Sequence, residues 1–326
     1  MNKLTKIISL GVVTILAIFL ISLVINSNPE PIDEITLDEI TLDEKITLDE
    51  ITLDEITLDE ITLDEITLDE ITLDELLKNY FSSHVIKKNN NLDFDTYFTE
   101  NDLIRYKQKL QIQDEVRFEL SSEKLELYEK LKPNKNTIVI YPIFTSAAYS
   151  DNGFYDYYSG DCDESCLNNI SFKNPEFTYD SSGITTQILH ILGYNFITDI
   201  DVDKNPEILE KYETVILLHN EYVTQKMFDT ITSHPNLIFL SPNALYAEIK
   251  VDYDNSTITL IRGHDYPPEV SNAFGYEIEE KFHKYESDGD CINWEFFKIE
   301  NGYHLNCYPD GSIHYNLGLI AKIKDL

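Results

Sequence analysis

The side chains best suited to chemistry follow a short apolar run in the middle of the chain. Residues 214–218 have the length and composition of a buried strand, and His219, Asn220, Glu221 and Tyr222 come directly after it. These side chains can bind a metal, donate hydrogen bonds or exchange protons. Ligands of open α/β sheets bind beyond the carboxyl ends of the strands, so this position favours a functional site. The alternative is an ordinary polar turn in which Glu221 caps the next helix.

Polar residues also follow two other predicted strands. A strand at Thr137–Tyr141 precedes Tyr149, and a strand at residues 237–240 precedes Asn243 and Tyr246. If the three strands are parallel neighbours, their loops meet at one edge of the sheet. Tyrosine hydroxyls and a carboxylate gathered there suit a hard cation such as ferric iron, a Lewis acid that lowers the pKa of bound water. For either tyrosine, the alternative is packing with a hydrogen-bonded hydroxyl.

Histidines supply the remaining candidates for proton transfer. His264 follows a predicted hairpin at residues 251–262 and can reach the same edge as a general base. A histidine on a surface loop is the alternative. His219 can instead orient Tyr222 or bind a backbone carbonyl. The sequence contains no Gly-x-Ser-x-Gly, no His-Glu-x-x-His and no phosphate-binding loop, which argues against a serine or cysteine hydrolase and a cysteine-dependent glutamine amidotransferase.

The elements that position these loops alternate between strand and helix. Strands are predicted at Thr137–Tyr141, Asn195–Thr198, 214–218 and 237–240, and helices at 183–192, 206–212 and 224–233. This alternation predicts an α/β domain, at residues 136–326, with a parallel sheet covered on both faces. A helical leader at residues 76–135, with helices at 100–111 and 121–131, precedes it. After Gly263 the sequence indicates turns and aromatic residues without a readable order of elements.

An apolar segment opens the chain. Residues 7–25 are uncharged and long enough to cross a bilayer as a helix, which takes about 17 to 25 residues. Lys3 and Lys6 precede the segment, whereas Pro, Asn and acidic residues follow it, so the amino terminus is predicted to be cytoplasmic. Residues 1–29 are therefore expected to form an uncleaved anchor, in contact with the lipid bilayer through residues 7–25, of a single-pass membrane protein whose carboxy-terminal domain is extracellular.

A tandem repeat occupies residues 30–75. It contains eight copies of Ile-Thr-Leu-Asp-Glu, interrupted once by Lys45. A period of five gives neither a continuous apolar stripe on a helix nor a constant face on a strand. The acidic residues of the copies repel one another and favour an extended chain, so the repeat is predicted to be a spacer. A pentapeptide β-helix is the structured alternative, although that fold requires small residues where this repeat has Ile.

Charge and cysteine content limit the partners. The formal net charge is −34, of which residues 1–75 contribute −16 and residues 76–326 contribute −18, so nucleic acid is not an expected partner. The four cysteines allow three pairings. In an extracellular domain their spacing favours disulfides between Cys162 and Cys166 and between Cys291 and Cys307, with a structural zinc site as the alternative.

The three loops together resemble the C-terminal domain of the N,N-dimethylformamidase large (beta) subunit. Residues 145–153 are similar to its threonine, Ala-Tyr-Asn and glycine pattern, 219–222 to its His-Asp-Glu-Tyr-Trp, and 243–246 to its Asn-x-x-Tyr-Trp. The similarity covers residues 137–262. The His-Asn-Glu-Tyr-Val-Thr run is also similar to one in membrane-anchored archaeal surface proteins of unassigned function. The chain departs from the family at Pro242, where glycine is usual. It also departs at Val223 and Ala247, where the family usually has tryptophan.

The resemblance implies a three-layer fold similar to class I glutamine amidotransferases and flavodoxin-like proteins. It also implies one iron ion, held by two tyrosines and a glutamate. By position Tyr149 and Tyr222 are the expected ligands, with Glu295 as the expected carboxylate, while Glu221 or His219 moves protons. The other predicted rim residues are Asn220, Asn243, Tyr246 and His264. The implied function is metal-dependent hydrolysis of small amides or other C–N bonds; the alternative is a non-catalytic surface module that binds a cell-envelope ligand such as a glycan or peptide.

Overall fold

The computed structural model describes residues 87–89, 93–98, 116–173, 175–276, 279 and 290–326. The predicted anchor at 7–25, the repeat at 30–75 and the predicted helix at 100–111 lie outside these residues. Within the parts of the chain that the structure describes, no helix has the length and apolarity needed to cross a membrane.

The described residues form three sheets, seven α-helices and four short 3₁₀ helices. The strands are β1 (Lys87–Asn89), β2 (Asp95–Phe98), β3 (Arg117–Glu119), β4 (Thr137–Tyr141), β5 (Ile170–Ser171), β6 (Asn195–Thr198), β7 (Thr214–Leu217), β8 (Tyr222–Val223), β9 (Leu237–Phe239), β10 (Ala247–Asp252), β11 (Thr257–Arg262), β12 (Phe296–Ile299) and β13 (Gly302–Leu305). The α-helices are α1 (Leu125–Glu129), α2 (Ile143–Tyr149), α3 (Tyr155–Ser159), α4 (Gly183–Ile191), α5 (Asp199–Lys204), α6 (Gln225–Thr232) and α7 (Leu317–Asp325). Short 3₁₀ helices lie at Ser122–Lys124, Glu164–Leu167, Pro206–Lys211 and Ile313–Tyr315.

The main sheet has six strands in the order β12-β13-β9-β7-β4-β6. The last five are parallel, and β12 pairs antiparallel with β13 at the edge. All residues of β4, β7 and β9 are buried. Since successive side chains of a strand point to opposite faces, both faces of the sheet are covered. The predicted α/β domain with a largely parallel sheet is confirmed.

Five of the seven described α-helices form two groups. Helices α2, α5 and α6 form one group, in which α5 contacts both others. Helices α4 and α7 form the second group around the 3₁₀ helix Ile313–Tyr315. Helix α5, which was not predicted, begins with a capping box of Thr198 and Asp201. Helix α2 lies where a loop was expected after β4, because the buried Asp199 carboxylate accepts the Phe144 N–H at 2.8 Å and so satisfies a donor of its first turn.

A second sheet has four strands in the order β5-β11-β10-β8. The predicted hairpin is its centre, where β10 and β11 pair antiparallel with a bulge at Glu248 and Ile249. Strand β8 joins this sheet parallel to β10 and is separated from β7 of the main sheet by residues 218–221. The chain therefore changes sheets within the segment that contains His219 and Glu221.

The region predicted as a helical leader contains three strands as well as α1. Strands β1, β2 and β3 form a small antiparallel sheet, and residues 116–120 around β3 alternate between apolar and charged side chains. That alternation favours a strand over a helix and was missed in the sequence. The sheet is tied to α4 because Phe118 N donates to Gln187 Oε1 at 3.2 Å, and Gln187 Nε2 donates to the Val116 carbonyl at 2.8 Å.

The carboxy-terminal residues, whose order was not predicted, complete the main sheet. Strands β12 and β13 extend it beyond β9, and α7 ends the chain. Gly302 is required at this junction because a Cβ atom there would lie 2.0 Å from the Leu237 carbonyl oxygen. Both predicted disulfides, Cys162–Cys166 and Cys291–Cys307, are present.

Candidate functional site

Glu221 lies at the junction of the two sheets, and its backbone is held from both sides. Its N–H donates to Thr145 Oγ1 of α2 at 3.0 Å. Its carbonyl accepts the Tyr246 N–H at 3.0 Å and the Ala247 N–H at 2.9 Å from the start of β10. The Glu221 side chain is 0% exposed. The three loops predicted to meet after β4, β7 and β9 therefore do meet, and they hold a buried carboxylate.

Two histidines flank this carboxylate. Nε2 of His264 lies 2.7 Å from Glu221 Oε1, and Nε2 of His219 lies 3.4 Å from Oε2. These are ion-pair distances, and within the described chain neither carboxylate oxygen has an aligned hydrogen-bond donor. Burial on its own raises the pKa of Glu221, but His219, His264 and Tyr149 together outweigh it and hold that pKa below its ordinary value. Glu221 is therefore a buried, ionised carboxylate.

His219 has a fixed ring orientation. Its Nδ1 lies 2.7 Å from the Asp180 carbonyl oxygen, and its backbone N–H donates to Ser182 Oγ at 3.1 Å. A carbonyl oxygen can only accept, so Nδ1 carries the proton of this bond. Nε2 is consequently the ring nitrogen that faces Glu221.

His264 is carried by a strained loop. Gly263, His264 and Asp265 have φ values of 120°, 53° and 59°, a left-handed conformation that non-glycine residues rarely adopt. The His264 N–H donates to the Ser271 carbonyl at 2.7 Å, and the Tyr246 hydroxyl lies 2.8 Å from Ser271 Oγ. Strained residues of this kind concentrate at functional sites, where the surrounding structure holds them. The loop brings the imidazole to Glu221.

Tyrosines enclose the same carboxylate. The rings of Tyr149 and Tyr155 stack with centroids 4.0 Å apart, and the Tyr155 hydroxyl donates to that of Tyr149 at 2.5 Å. Tyr222 is fully buried, and its ring lies 6.4 Å from that of Tyr149. Burial raises the pKa of all three hydroxyls, and the charge of Glu221 raises it further. They are therefore protonated at neutral pH.

The predicted site residues do not all come together. Tyr149, His219, Glu221, Tyr222 and His264 form one cluster, and the Tyr246 ring adjoins it 4.7 Å from that of His264. Glu295 does not join it, because it is exposed at the start of β12, three strands away from β7. At an ordinary strand spacing of about 4.8 Å this amounts to roughly 14 Å.

The two predicted asparagines have local roles. Asn220 Oδ1 accepts the Leu218 N–H at 2.9 Å, while its buried Nδ2 has no hydrogen-bond partner in the described part of the chain. Asn243 is half-buried, and its N–H lies 3.3 Å from Ser241 Oγ within a turn.

Several residues of the site were missed. Tyr155 and Tyr158 of α3 lie against Tyr149 and His264, respectively. Their spacing of three residues places them on one helix face, and that was the available signal. Tyr308, whose ring lies 4.9 Å from that of His219, gave no such signal because it comes from the carboxy-terminal residues of unpredicted order.

The chemistry of the cluster fits a hard cation. Three hard oxygen donors converge, from Tyr149, Tyr222 and Glu221. The Tyr222 hydroxyl and both Glu221 oxygens are buried, and among the described residues none of them has a hydrogen bond of regular geometry. Phenolate and carboxylate oxygens are suitable ligands for ferric iron. No set of three His, Cys, Asp or Glu side chains in the described ranges has the arrangement of a metal site, so such a site depends on the tyrosines.

The fold and this cluster define an α/β domain with a buried Glu–His–Tyr centre at the junction of its sheets. Residues 107–288 match the family described as N,N-dimethylformamidase beta subunit-like, C-terminal. This is more than half of the 326 residues, and the chain belongs to that family. No curated protein matches the chain.

Proposed function

We propose that this domain is a metal-dependent hydrolase of small amides or other C–N bonds. The observation that carries the proposal is the Glu221 carboxylate, which is fully buried and ionised between two histidines and two tyrosines. Buried titratable groups with shifted pKa values concentrate at functional sites, so the position of Glu221 at the carboxyl edge of the sheet supports a functional role.

The metal ligands in this proposal are Tyr149, Tyr222 and Glu221. Glu221 replaces the expected Glu295, which lies too far along the sheet. A bound iron ion would supply Lewis acidity toward an amide carbonyl or a water molecule. Because the tyrosine pKa values are raised, binding to the phenolates releases protons, and metal uptake should increase with pH.

The other side chains handle protons and orient the substrate. His264 is the proton acceptor and donor, because its Nε2 lies next to the carboxylate and its loop forms one wall of the site. His219, fixed by the Asp180 carbonyl, holds the second carboxylate oxygen. The buried Nδ2 of Asn220 is available to donate to the carbonyl oxygen of an amide.

The proposal extends to the setting of the domain. Residues 7–25 anchor the chain in a membrane, residues 30–75 separate the domain from the bilayer, and the domain lies outside with a fold similar to class I glutamine amidotransferases. The apolar run and the acidic repeat support this arrangement. Carbonate extraction of membranes from expressing cells tests it: the full chain should stay with the membrane fraction, and its release into the supernatant would contradict the anchor.

Metal content and amide hydrolysis of the full chain test the function. The wild-type protein should bind about one iron ion and release amine from at least one small amide. Tyr149→Phe, Tyr222→Phe and Glu221→Gln should each lose both properties. Tyr276→Phe is the matched control, because its hydroxyl bonds to Asn301 and its ring packs on Phe228 and Phe239. A wild-type protein that binds no iron and hydrolyses none of the amides would refute the proposal.

A non-catalytic binding module is the second candidate, and the burial of the site favours it. Glu221 and Tyr222 are both 0% exposed, so a substrate has to displace α3 or the loop of His264 to reach them. In this case the centre is a structural network, and a cell-envelope ligand binds elsewhere. Glu221→Gln and Tyr222→Phe would then change the free energy of unfolding and leave ligand binding unaltered.

A further inference from the structure

Tyr308 connects the carboxy-terminal residues to the candidate site. It follows β13 and lies beyond residues 107–288, which match the family. Its ring centroid lies 4.9 Å from that of His219 and 4.9 Å from that of Tyr179, and the residue is 9% exposed. A large side chain from outside the family match is therefore packed directly on a residue of the site.

The Tyr308 hydroxyl ties together both ends of a tight turn at residues 179–182. It donates to the Tyr179 carbonyl oxygen and accepts the Ser182 N–H at 3.0 Å. Ser182 Oγ also lies 3.0 Å from it. Ser182 has φ of 58°, and at the next residue, Gly183, a Cβ atom would lie 2.1 Å from the Phe177 carbonyl oxygen. The turn therefore needs its hydrogen bonds to keep this shape.

The same turn orients His219. Ser182 Oγ accepts the His219 N–H at 3.1 Å, and the Asp180 carbonyl accepts from Nδ1 at 2.7 Å. Because the one hydroxyl proton of Tyr308 goes to Tyr179, Ser182 Oγ donates to Tyr308. The result is a directed chain of hydrogen bonds from the His219 N–H through Ser182 and Tyr308 to the Tyr179 carbonyl. Donors and acceptors in such a chain strengthen one another.

We propose that Tyr308 is a positioning residue for His219: by fixing the turn that carries the Asp180 carbonyl, it fixes the ring orientation that presents Nε2 to Glu221. The carboxy-terminal residues are then part of the site as well as of the sheet. The catalytic consequence rests on the proposed hydrolase function, whereas the effect on the orientation of the His219 ring does not.

The test is the ¹⁵N spectrum of the full chain labelled at histidine, recorded at one neutral pH, with the His219 signals assigned by their loss in His219→Asn. Wild-type His219 should show a protonated-type signal at Nδ1, which donates to the Asp180 carbonyl. In Tyr308→Phe the turn loses the hydroxyl that links Tyr179 to Ser182, and the Nδ1 signal should move away from that position. Tyr276→Phe, which also loses one hydroxyl hydrogen bond, should leave it unchanged. Wild-type signals in a folded Tyr308→Phe protein overturn the proposal.

Ser182→Gly provides a second route if Tyr308→Phe does not fold. Glycine suits the positive φ of residue 182, while the variant removes the hydroxyl between Tyr308 and His219. The same movement of the His219 signals is expected, and unchanged signals overturn the proposal. If the hydrolase function holds, kcat in either variant should fall on the order of 100-fold with KM retained. A wild-type protein without activity refutes that function alone, because the spectra still decide the role of Tyr308.

Discussion

Oε1 of Glu221 lies 2.7 Å from Nε2 of His264, although the two residues come from different sheet connections. Glu221 is held where β7 passes into β8, and His264 is held by a left-handed loop after β11. The pair therefore fastens the hairpin of the second sheet to the carboxyl edge of the main sheet. Its contribution to stability can be measured independently of any activity.

His264→Ala should lower the free energy of unfolding by about 3 kcal/mol at neutral pH, because it leaves a buried carboxylate without its closest partner. The pKa of Glu221 is lowered in the folded protein, so its stabilising effect is present above about pH 4.5 and is lost as pH falls through the folded pKa. The cost of the variant should therefore shrink in acid. Urea unfolding at neutral and acidic pH measures both effects.

Arg262→Ala is the matched control for that experiment. Arg262 pairs with Glu248 at 2.5 Å two residues before His264, but its side chain is 41% exposed. An exposed ion pair of this kind contributes about 0 to 1 kcal/mol. An equal cost for the two variants would show that Glu221 does not depend on His264.

The free energy of unfolding of Asp310→Asn should increase relative to that of the wild type between pH 4 and pH 7. Burial raises the pKa of Asp310 to about 7, and its carboxyl accepts the Thr185 N–H at 2.7 Å at the start of α4. A raised carboxyl pKa stabilises the fold below about pH 4, and that effect is lost as pH rises through 7. The difference between the ordinary and the folded pKa of Asp310 corresponds to about 4 kcal/mol in the free energy of unfolding. Urea unfolding across this range measures it. Asp252→Asn, at the end of β10, should keep the wild-type slope because the hydrogen bond from Asn255 lowers the pKa of that carboxyl. An unchanged slope in Asp310→Asn would contradict the assignment.

His314→Leu should lose less stability in acid than the wild type. The pH dependence that His314 causes is opposite in sign to that of Asp310, because it lowers stability as pH falls. Burial lowers the pKa of His314 to about 4, and its ring contacts Phe118 at 5.0 Å. The unfolded chain binds a proton below about pH 6.5 and the folded protein does not until about pH 4, so the wild type loses about 3 kcal/mol across this window. The leucine variant should lose less between those pH values in the same unfolding experiment. Equal losses in both proteins would show that His314 titrates normally.

Gly302→Ala should lower the free energy of unfolding, measured in urea, by at least about 3 kcal/mol. Its Cβ atom would lie 2.0 Å from the Leu237 carbonyl, so β13 has to move away from β9. Gly193→Ala is the comparison: residue 193 has φ of 88°, and no atom of the described chain lies within 4 Å of the added Cβ. That variant should cost about 1 to 2 kcal/mol, from the left-handed backbone alone. Similar costs for the two variants would contradict the proposed clash.

The sequence was sufficient for the elements whose signals are local. The strands at Thr137–Tyr141 and Asn195–Thr198 were predicted with their observed bounds, because short apolar runs between helical segments have few other structures available. The hairpin and the two cysteine pairs could also be predicted, because the residues that form each of them lie close together in the chain. The residues brought together after β4, β7 and β9 followed from the general geometry of parallel sheets.

The missed features depend on contacts between distant residues. Helix α2 begins beside Asp199, 55 residues away from Phe144 in the chain, and no local pattern indicates this capping. The choice of Glu295 as a ligand failed to account for β13, which inserts between β12 and β9 and moves that residue along the sheet. Tyr308 reaches His219 from 89 positions away for the same kind of reason.

The change of sheets at residues 218–221 gives Glu221 a mechanical role as well as a chemical one. Its N–H belongs to the hydrogen bonds of α2, and its carbonyl belongs to those of β10. This peptide therefore couples the position of the hairpin to that of the main sheet. Its carboxylate lies at the junction of the two sheets, where a small displacement of either sheet changes its distances to Tyr149 and His264 at the same time.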